Sequence, residues 1–124
     1  MSPLPKEMLK EHLQNLFSSL NMFKFGGKLP YYEIKIWELP SCSGRISYKE
    51  KIIKIKPKSS ILSMNNTLLH ELTHAYLYRI GCKNTAHSVR FWRLFVEKGG
   101  VITETNKLTH KRAKQIALEL GGQI

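Results

Sequence analysis

The sequence has few cysteines and no long apolar run, and each shortage excludes a class of protein. Cys42 and Cys82 are the only cysteines in 124 residues, too few for a disulfide framework or a four-cysteine zinc module. No stretch approaches the roughly 20 apolar residues that span a bilayer, and no apolar leader opens the chain. We therefore expect an intracellular protein with free thiols, in cytoplasm, nucleoid or nucleus, and without a membrane partner.

Negative charge is also scarce, because aspartate is absent. The acidic residues are nine glutamates against 20 lysines and arginines, and the formal net charge is +11. A field of this sign attracts polyanions, of which nucleic acid is the commonest. Lysines outnumber arginines three to one, a ratio that suits phosphate contact better than base reading. The alternative is a solvated basic surface with no dedicated partner.

The spacing of apolar residues predicts a small α+β domain with an antiparallel sheet. Helical periodicity covers 6–21, 60–80, 88–98 and 108–120, whereas strand alternation covers 31–39 and a hairpin with arms at 45–48 and 51–56. Leu69, Leu72, Tyr76 and Ile80 are the predicted buried stripe of the second helix, and 101–102 a short added strand. Residues 1–124 are expected to form one domain, in which 101–124 is a basic tail with a predicted helix.

The second predicted helix carries a metal-binding pattern. His70 and His74 are four residues apart, so both imidazoles lie on one helix face about one turn from each other. Such a pair can hold one zinc ion, and the adjacent Glu71 is placed to take a proton from water rather than to bind the metal. The pattern predicts a catalytic zinc site, with Glu71 as the general base.

A catalytic zinc usually has three protein ligands and one open position, so a third ligand is needed. His12 is expected on the surface of the first helix, and His110 lies among cations that would repel a dication. His87 follows the turn after the motif helix, and a returning helix would bring it back to the metal. We therefore favour His87 over the other histidines and over Glu97 and Glu104.

At this point the sequence resembles the SprT/Spartan-like zinc metalloproteases, a family that includes DNA-dependent proteases acting on DNA–protein crosslinks. The resemblance runs from about 42 to 95, and its core is the motif helix at 68–77, followed by Ala86-His87-Ser88 and Phe91-Trp92. It implies a minimal gluzincin-like zincin fold in which His70, His74 and His87 hold one Zn²⁺ and Glu71 is the base. It also implies proteolysis switched on by DNA, especially single-stranded or disrupted DNA.

The combined expectation is a zinc-dependent endopeptidase that acts on DNA-bound or DNA-crosslinked proteins. One alternative is a non-catalytic DNA-binding module in which zinc only ties two helices together. A second alternative is a zinc peptidase with one specific protein target and no use for DNA. A structural zinc would favour four protein ligands, so the three histidines and the retained Glu71 favour catalysis.

Further contacts are predicted around this centre. A substrate peptide could pair with the sheet edge at 42–48. Candidate donors to the oxyanion are Tyr48, Tyr76, Tyr78 and Arg90. Trp37 is either a base-stacking residue or a covered strand residue. The residues expected to contact DNA are basic: Lys49, Lys51, Lys54, Lys56, Lys58, Arg79, Lys83, Arg90, Lys107, Lys111, Arg112 and Lys114.

Overall fold

Three helices and a three-stranded sheet make up the computed structural model, which describes residues 5–82 and 87–102. The predicted helix at 108–120 lies outside this part of the chain. None of the helices in the described ranges combines the length and the hydropathy needed to cross a bilayer. In chain order the elements are α1 (Lys6–Lys24), β1 (Glu33–Ile36), β2 (Gly44–Ser47), β3 (Ile52–Ile55), α2 (Ile61–Arg79) and α3 (Val89–Glu97).

The sheet is mixed, so the predicted antiparallel sheet is wrong in one of its two pairings. Its strand order is β1-β3-β2. The predicted hairpin is present as β2 and β3, which pair antiparallel, but β1 pairs parallel with β3. β3 carries the fully buried Ile53 and Ile55 and takes the centre, so β1 joins it on the side away from β2. Alternation along a segment predicts a strand but not its neighbour or direction.

The core lies on one face of this sheet. Ile34, Ile53 and Ile55 are buried on that face, where α1 contacts β1 and α2 contacts β2 and β3. α1 contributes Leu13 and Phe17 among its buried residues, as its periodicity predicts. The residues that alternate with these isoleucines along β1 and β3 point to the opposite face. That outer face therefore carries the charged side chains of the sheet.

Gln14 closes one edge of the sheet. Its side-chain Nε2 donates to the Tyr32 carbonyl at 2.9 Å, and its Oε1 accepts the Ile34 N–H at 2.9 Å. The side-chain amide thus pairs with backbone groups of the β1 edge as a neighbouring strand would. Among the strands of the described ranges, β2 forms the opposite edge and has no further strand beside it.

The ends of α2 follow local signals. The Ser60 side chain accepts the Ser63 N–H at 3.1 Å, as expected of an N-cap, and Gly81 ends the helix with φ +83°. Leu69 and Leu72 are buried as predicted, but Ile80 is 44% exposed because the last turn extends past the core.

The predicted short strand at 101–102 is also wrong. The Asn66 side chain instead holds Val101, donating from Nδ2 to its carbonyl and accepting its N–H at Oδ1, both at 2.8 Å. A side-chain amide on α2 thereby satisfies backbone groups that a strand neighbour would otherwise pair.

Candidate metal centre

Three histidines converge between α2 and α3. His70 and His74 project from successive turns of α2, and His87 stands just before α3, whose first turn is capped by Ser88. The His87 Nε2 lies 2.9 Å from the His70 Nε2 and 3.2 Å from the His74 Nε2. Each residue offers one nitrogen, these atoms all lie within 4.8 Å of one another, and the side chains are half-buried. The group can hold a metal ion that remains accessible from one side.

Aromatic side chains of α3 form a wall against these imidazoles. Phe91 stacks on His74 at 4.3 Å between ring centroids, and Trp92 stacks on His87 at 5.2 Å. Phe95 meets His70 edge-on at 5.6 Å. The three aromatics are at most 1% exposed, so they fix the imidazole planes and exclude water from the helix side. The sequence predicts them as an apolar helix face but does not show that the face packs on the histidines.

Glu71 lies beside the histidines in a nearly dry position. It is only 6% exposed and is the only buried charged residue in the described part of the chain. Burial raises the pKa of Glu71 from its usual 4.5 to about 8. A carboxylate with its pKa near the working pH is a strong base for a carboxyl group, as general base catalysis requires. Placing a dication nearby would lower the pKa from that value.

β2 passes directly over this carboxylate at Gly44. A Cβ added at Gly44 would lie 2.7 Å from Thr67 Cγ2 and 3.0 Å from Glu71 Oε2. Only a residue without a side chain therefore allows the edge strand to approach the motif helix this closely. Nothing in the spacing of the sequence distinguishes Gly44 from an ordinary loop glycine, so its role was not predicted.

The four candidate donors to the oxyanion lie in different surroundings. Tyr48 and Tyr78 stack on each other with centroids 4.1 Å apart and planes 4° from parallel, at the end of β2, and Tyr78 is 51% exposed. Tyr76 packs instead against Phe25 at 5.4 Å. Arg90 is exposed on the first turn of α3. Position therefore favours the stacked tyrosines over Tyr76 as groups that substrate can reach.

Those predicted DNA-contacting residues that the structure describes are spread over several elements. Lys54 and Lys56 lie on the outer face of the sheet, while Lys58 donates to the Ser43 hydroxyl at 2.8 Å. Lys51 donates to the Tyr48 carbonyl at 3.0 Å. Lys49, Arg79 and Arg90 are exposed elsewhere. The remaining residues of that prediction lie outside the described ranges: Lys83, Lys107, Lys111, Arg112 and Lys114.

Comparison with known proteins finds one match. The model of the SprT-like family matches residues 13–112, which is most of the chain and includes every residue of the centre. No curated protein and no solved structure matches the chain significantly.

Proposed function

Because the chain belongs to the SprT-like family, a metallopeptidase family, we propose that it is a zinc-dependent endopeptidase, activated by DNA and acting on DNA-bound or DNA-crosslinked proteins. One observation carries this proposal. Three imidazole nitrogens converge, two of them from the helix whose buried Glu71 carboxylate lies against Gly44 of the edge strand β2.

The donor set fits zinc. Ligand nitrogens about 2.0–2.1 Å from a tetrahedral zinc lie roughly 3.3 Å from one another. The separations of 2.9 and 3.2 Å from the His87 Nε2 to its two partners are close to that value. His70, His74 and His87 would hold the ion, which supplies Lewis acidity toward a peptide carbonyl and toward water. Three ligands with one side open suit a catalytic site rather than a structural one.

The residues of the chain supply proton transfer and orientation. Glu71 takes a proton from the attacking water, because burial makes its carboxylate more basic than usual. It then delivers that proton to the leaving amine. The wall of Phe91, Trp92 and Phe95 keeps the imidazoles fixed and excludes water from the far side during both transfers.

The open edge of β2 offers a place for the substrate backbone. The Ser43 carbonyl accepts the Lys56 N–H at 2.8 Å, so the alternation of an antiparallel pair directs the backbone groups of Gly44 and Ile46 away from β3. A peptide added as a further strand would bond to these groups and pass beside Glu71. Main-chain pairing of this kind accepts many sequences, which suits an endopeptidase with varied targets.

DNA activation is supported by the net charge of +11 and by the family resemblance. A zinc peptidase without a DNA requirement would keep the same centre. A non-catalytic zinc module would have no use for the buried Glu71. Comparing cleavage with and without DNA separates these possibilities.

The test uses the zinc-loaded full chain with a basic protein substrate, with and without a single-stranded oligonucleotide. We expect cleavage only with DNA, and a loss of at least about 100-fold in Glu71→Gln, because general base catalysis contributes about 10²–10⁴-fold. Glu38→Gln is the matched control, since Glu38 is exposed. Cleavage independent of DNA would refute the activation, and a fully active Glu71→Gln would refute the catalytic assignment.

A further inference from the structure

The outer face of the sheet carries three cations in one line. Lys35 on β1 is directly opposite Lys54 on β3, and Lys54 is directly opposite Arg45 on β2. We call these three residues the cationic row. Neighbouring strands are about 4.8 Å apart, so the row crosses the whole sheet within roughly 10 Å. At the β1 side α1 borders this face, where Lys10 pairs with Glu33 at 3.2 Å, and the three cations are half-buried or exposed.

Such a row is unfavourable for the protein alone. Like charges directly opposite each other on paired strands destabilise a sheet. Within the described part of the chain the only ion pair joins Lys10 to Glu33, so no carboxylate of these ranges is in ion-pair contact with the row. An anion bound across the three strands would remove this repulsion.

An exposed aromatic residue borders the row. Trp37 follows β1 on the same outer face, is 51% exposed, and lies beneath the Lys54 Nζ at 4.7 Å from the ring centroid. A groove of about 350 Å³ begins at this ring and runs along β1 to the start of α1, where it is lined by Lys6, Glu7, Lys10 and Glu33. Lys54 covers one face of the indole, and cations beside a half-exposed aromatic ring are the combination that binds unpaired nucleic acid.

We infer that the outer face of the sheet is a binding site for single-stranded DNA, with phosphates on the cationic row and a base stacked on Trp37. The inference deepens the proposed function, on which it rests for the choice of DNA as the polymer. An acidic peptide would match the charge but has no flat base to cover the indole. A duplex keeps its bases stacked inside, so only an unpaired strand uses both features.

The position of this site links DNA to the metal centre through one strand. Arg45 belongs to the cationic row on the outer face. The preceding residue, Gly44, faces the inner side of the sheet, where it lies close to Glu71. DNA on the outer face thus contacts β2 without entering the space beside the histidines. The protein joined to that DNA can therefore reach the open edge of β2.

The experiment measures binding of a fluorescent oligothymidylate to the zinc-loaded full chain carrying Glu71→Gln, so that cleavage plays no part. The row variant adds Lys35→Ala, Lys54→Ala and Arg45→Ala. The matched control adds Lys24→Ala, Lys28→Ala and Arg93→Ala, which remove the same charge from exposed positions. We expect the row variant to bind at least tenfold more weakly and the control within twofold. The logarithm of the binding constant should also depend less steeply on the logarithm of the salt concentration. We expect the slope of the row variant to fall by about 2, since it loses three phosphate contacts and each contact on a single strand contributes about 0.7.

Trp37 gives a second, independent readout. The other tryptophan, Trp92, is 1% exposed, so quenching of emission by DNA reports stacking on Trp37. Trp37→Ala should weaken binding about tenfold, whereas Trp37→Phe should keep most affinity and lose the quenching. Circular dichroism of each variant establishes that it is folded.

Several results would overturn the site. If the row and control variants lost the same affinity for the oligothymidylate, the attraction would be non-specific. If neither variant lost affinity, DNA would bind elsewhere. Polyglutamate that competes as well as the oligonucleotide would identify the face as a site for acidic protein. If the row is required for binding but the unmutated protein cleaves nothing, the proposed function fails while the site stands. If instead a protein that keeps Glu71 and carries Lys35→Ala, Lys54→Ala and Arg45→Ala still cleaves in response to DNA, the proposed function stands while the site fails.

Discussion

At the scale of single residues, Glu71 has the surroundings that matter most for the chemistry. Its carboxyl group is 6% exposed, and the cause of its raised pKa is loss of water rather than a neighbouring carboxylate. The carboxylate is thus made basic by the fold itself. The same burial disfavours the charged form in the native state, so a stronger base is obtained at the expense of stability.

This cost should appear in the metal-free protein as a pH-dependent stability. The folded pKa of Glu71, about 8, lies above the unfolded value of 4.5, so the native state holds more protons between these two pH values. Stability then falls as pH rises through this window, and the loss is complete above about pH 8. Glu71→Gln removes the titration, so we expect it to exceed the unmutated protein by a few kcal/mol at pH 8 but not at pH 4.

Urea unfolding of both proteins across this pH range, after removal of metal, measures the difference. The two proteins differ only at residue 71, so the comparison isolates the effect of that side chain. Glu38→Gln, at an exposed position, should follow the unmutated protein at every pH. The prediction would be contradicted if the free energies of unfolding of Glu71→Gln and the unmutated protein differed by the same amount at every pH.

At the scale of elements, the close approach of β2 to α2 depends on Gly44. Gly44→Ala places a methyl group 2.7 Å from Thr67 Cγ2 and 3.0 Å from Glu71 Oε2, so strand or helix must move. We expect a loss of about 1–3 kcal/mol in the free energy of unfolding, as for overpacked cores, together with a lower cleavage rate.

Thr67→Ser tests that mechanism in a double-mutant cycle. Serine lacks Cγ2 but keeps the hydroxyl that donates to the Ser63 carbonyl at 3.0 Å. The pair Gly44→Ala and Thr67→Ser should recover part of the lost stability relative to Gly44→Ala alone. Strictly additive effects would show that the methyl group does not clash with Thr67.

Elements that depend on local signals are the ones that the sequence predicted well. The bounds of α2 and α3 follow from Ser60, Ser88 and Gly81, and the i, i+4 spacing of His70 and His74 is local in the same sense. The place of β1 beside β3 was not predictable, because it depends on which strand takes the centre of the sheet. Gly44 was missed for the same reason, since its partner Glu71 is 27 positions away.

At the scale of the whole molecule, the sheet separates two surfaces of different chemical character. One face holds the core and, against Gly44 of β2, Glu71 of the helix that also carries His70 and His74, while the other carries the cationic row and Trp37. The long-range field of the net charge of +11 brings polyanions to the molecule, but only a local arrangement can hold one strand in place. The overall charge was evident from the sequence, whereas the alignment of Lys35, Lys54 and Arg45 required the register of the mixed sheet.

The centre should also couple α2 to α3 in the stability of the whole molecule. His70 and His74 lie on α2 and His87 adjoins α3, so a bound ion links elements that otherwise meet mainly through the aromatic wall. A ligand at 1,000 times its dissociation constant stabilises the native state by about 4 kcal/mol, so zinc should raise the unfolding temperature by on the order of 10 °C. Differential scanning calorimetry with zinc and after chelation measures this shift.

His87→Ala should abolish most of the shift in unfolding temperature that zinc causes. His12→Ala, which affects an exposed histidine bonded to Asn65 at 2.8 Å, should keep that shift. An equal shift in both variants would mean that zinc binds without His87 and that α3 is not held by the ion.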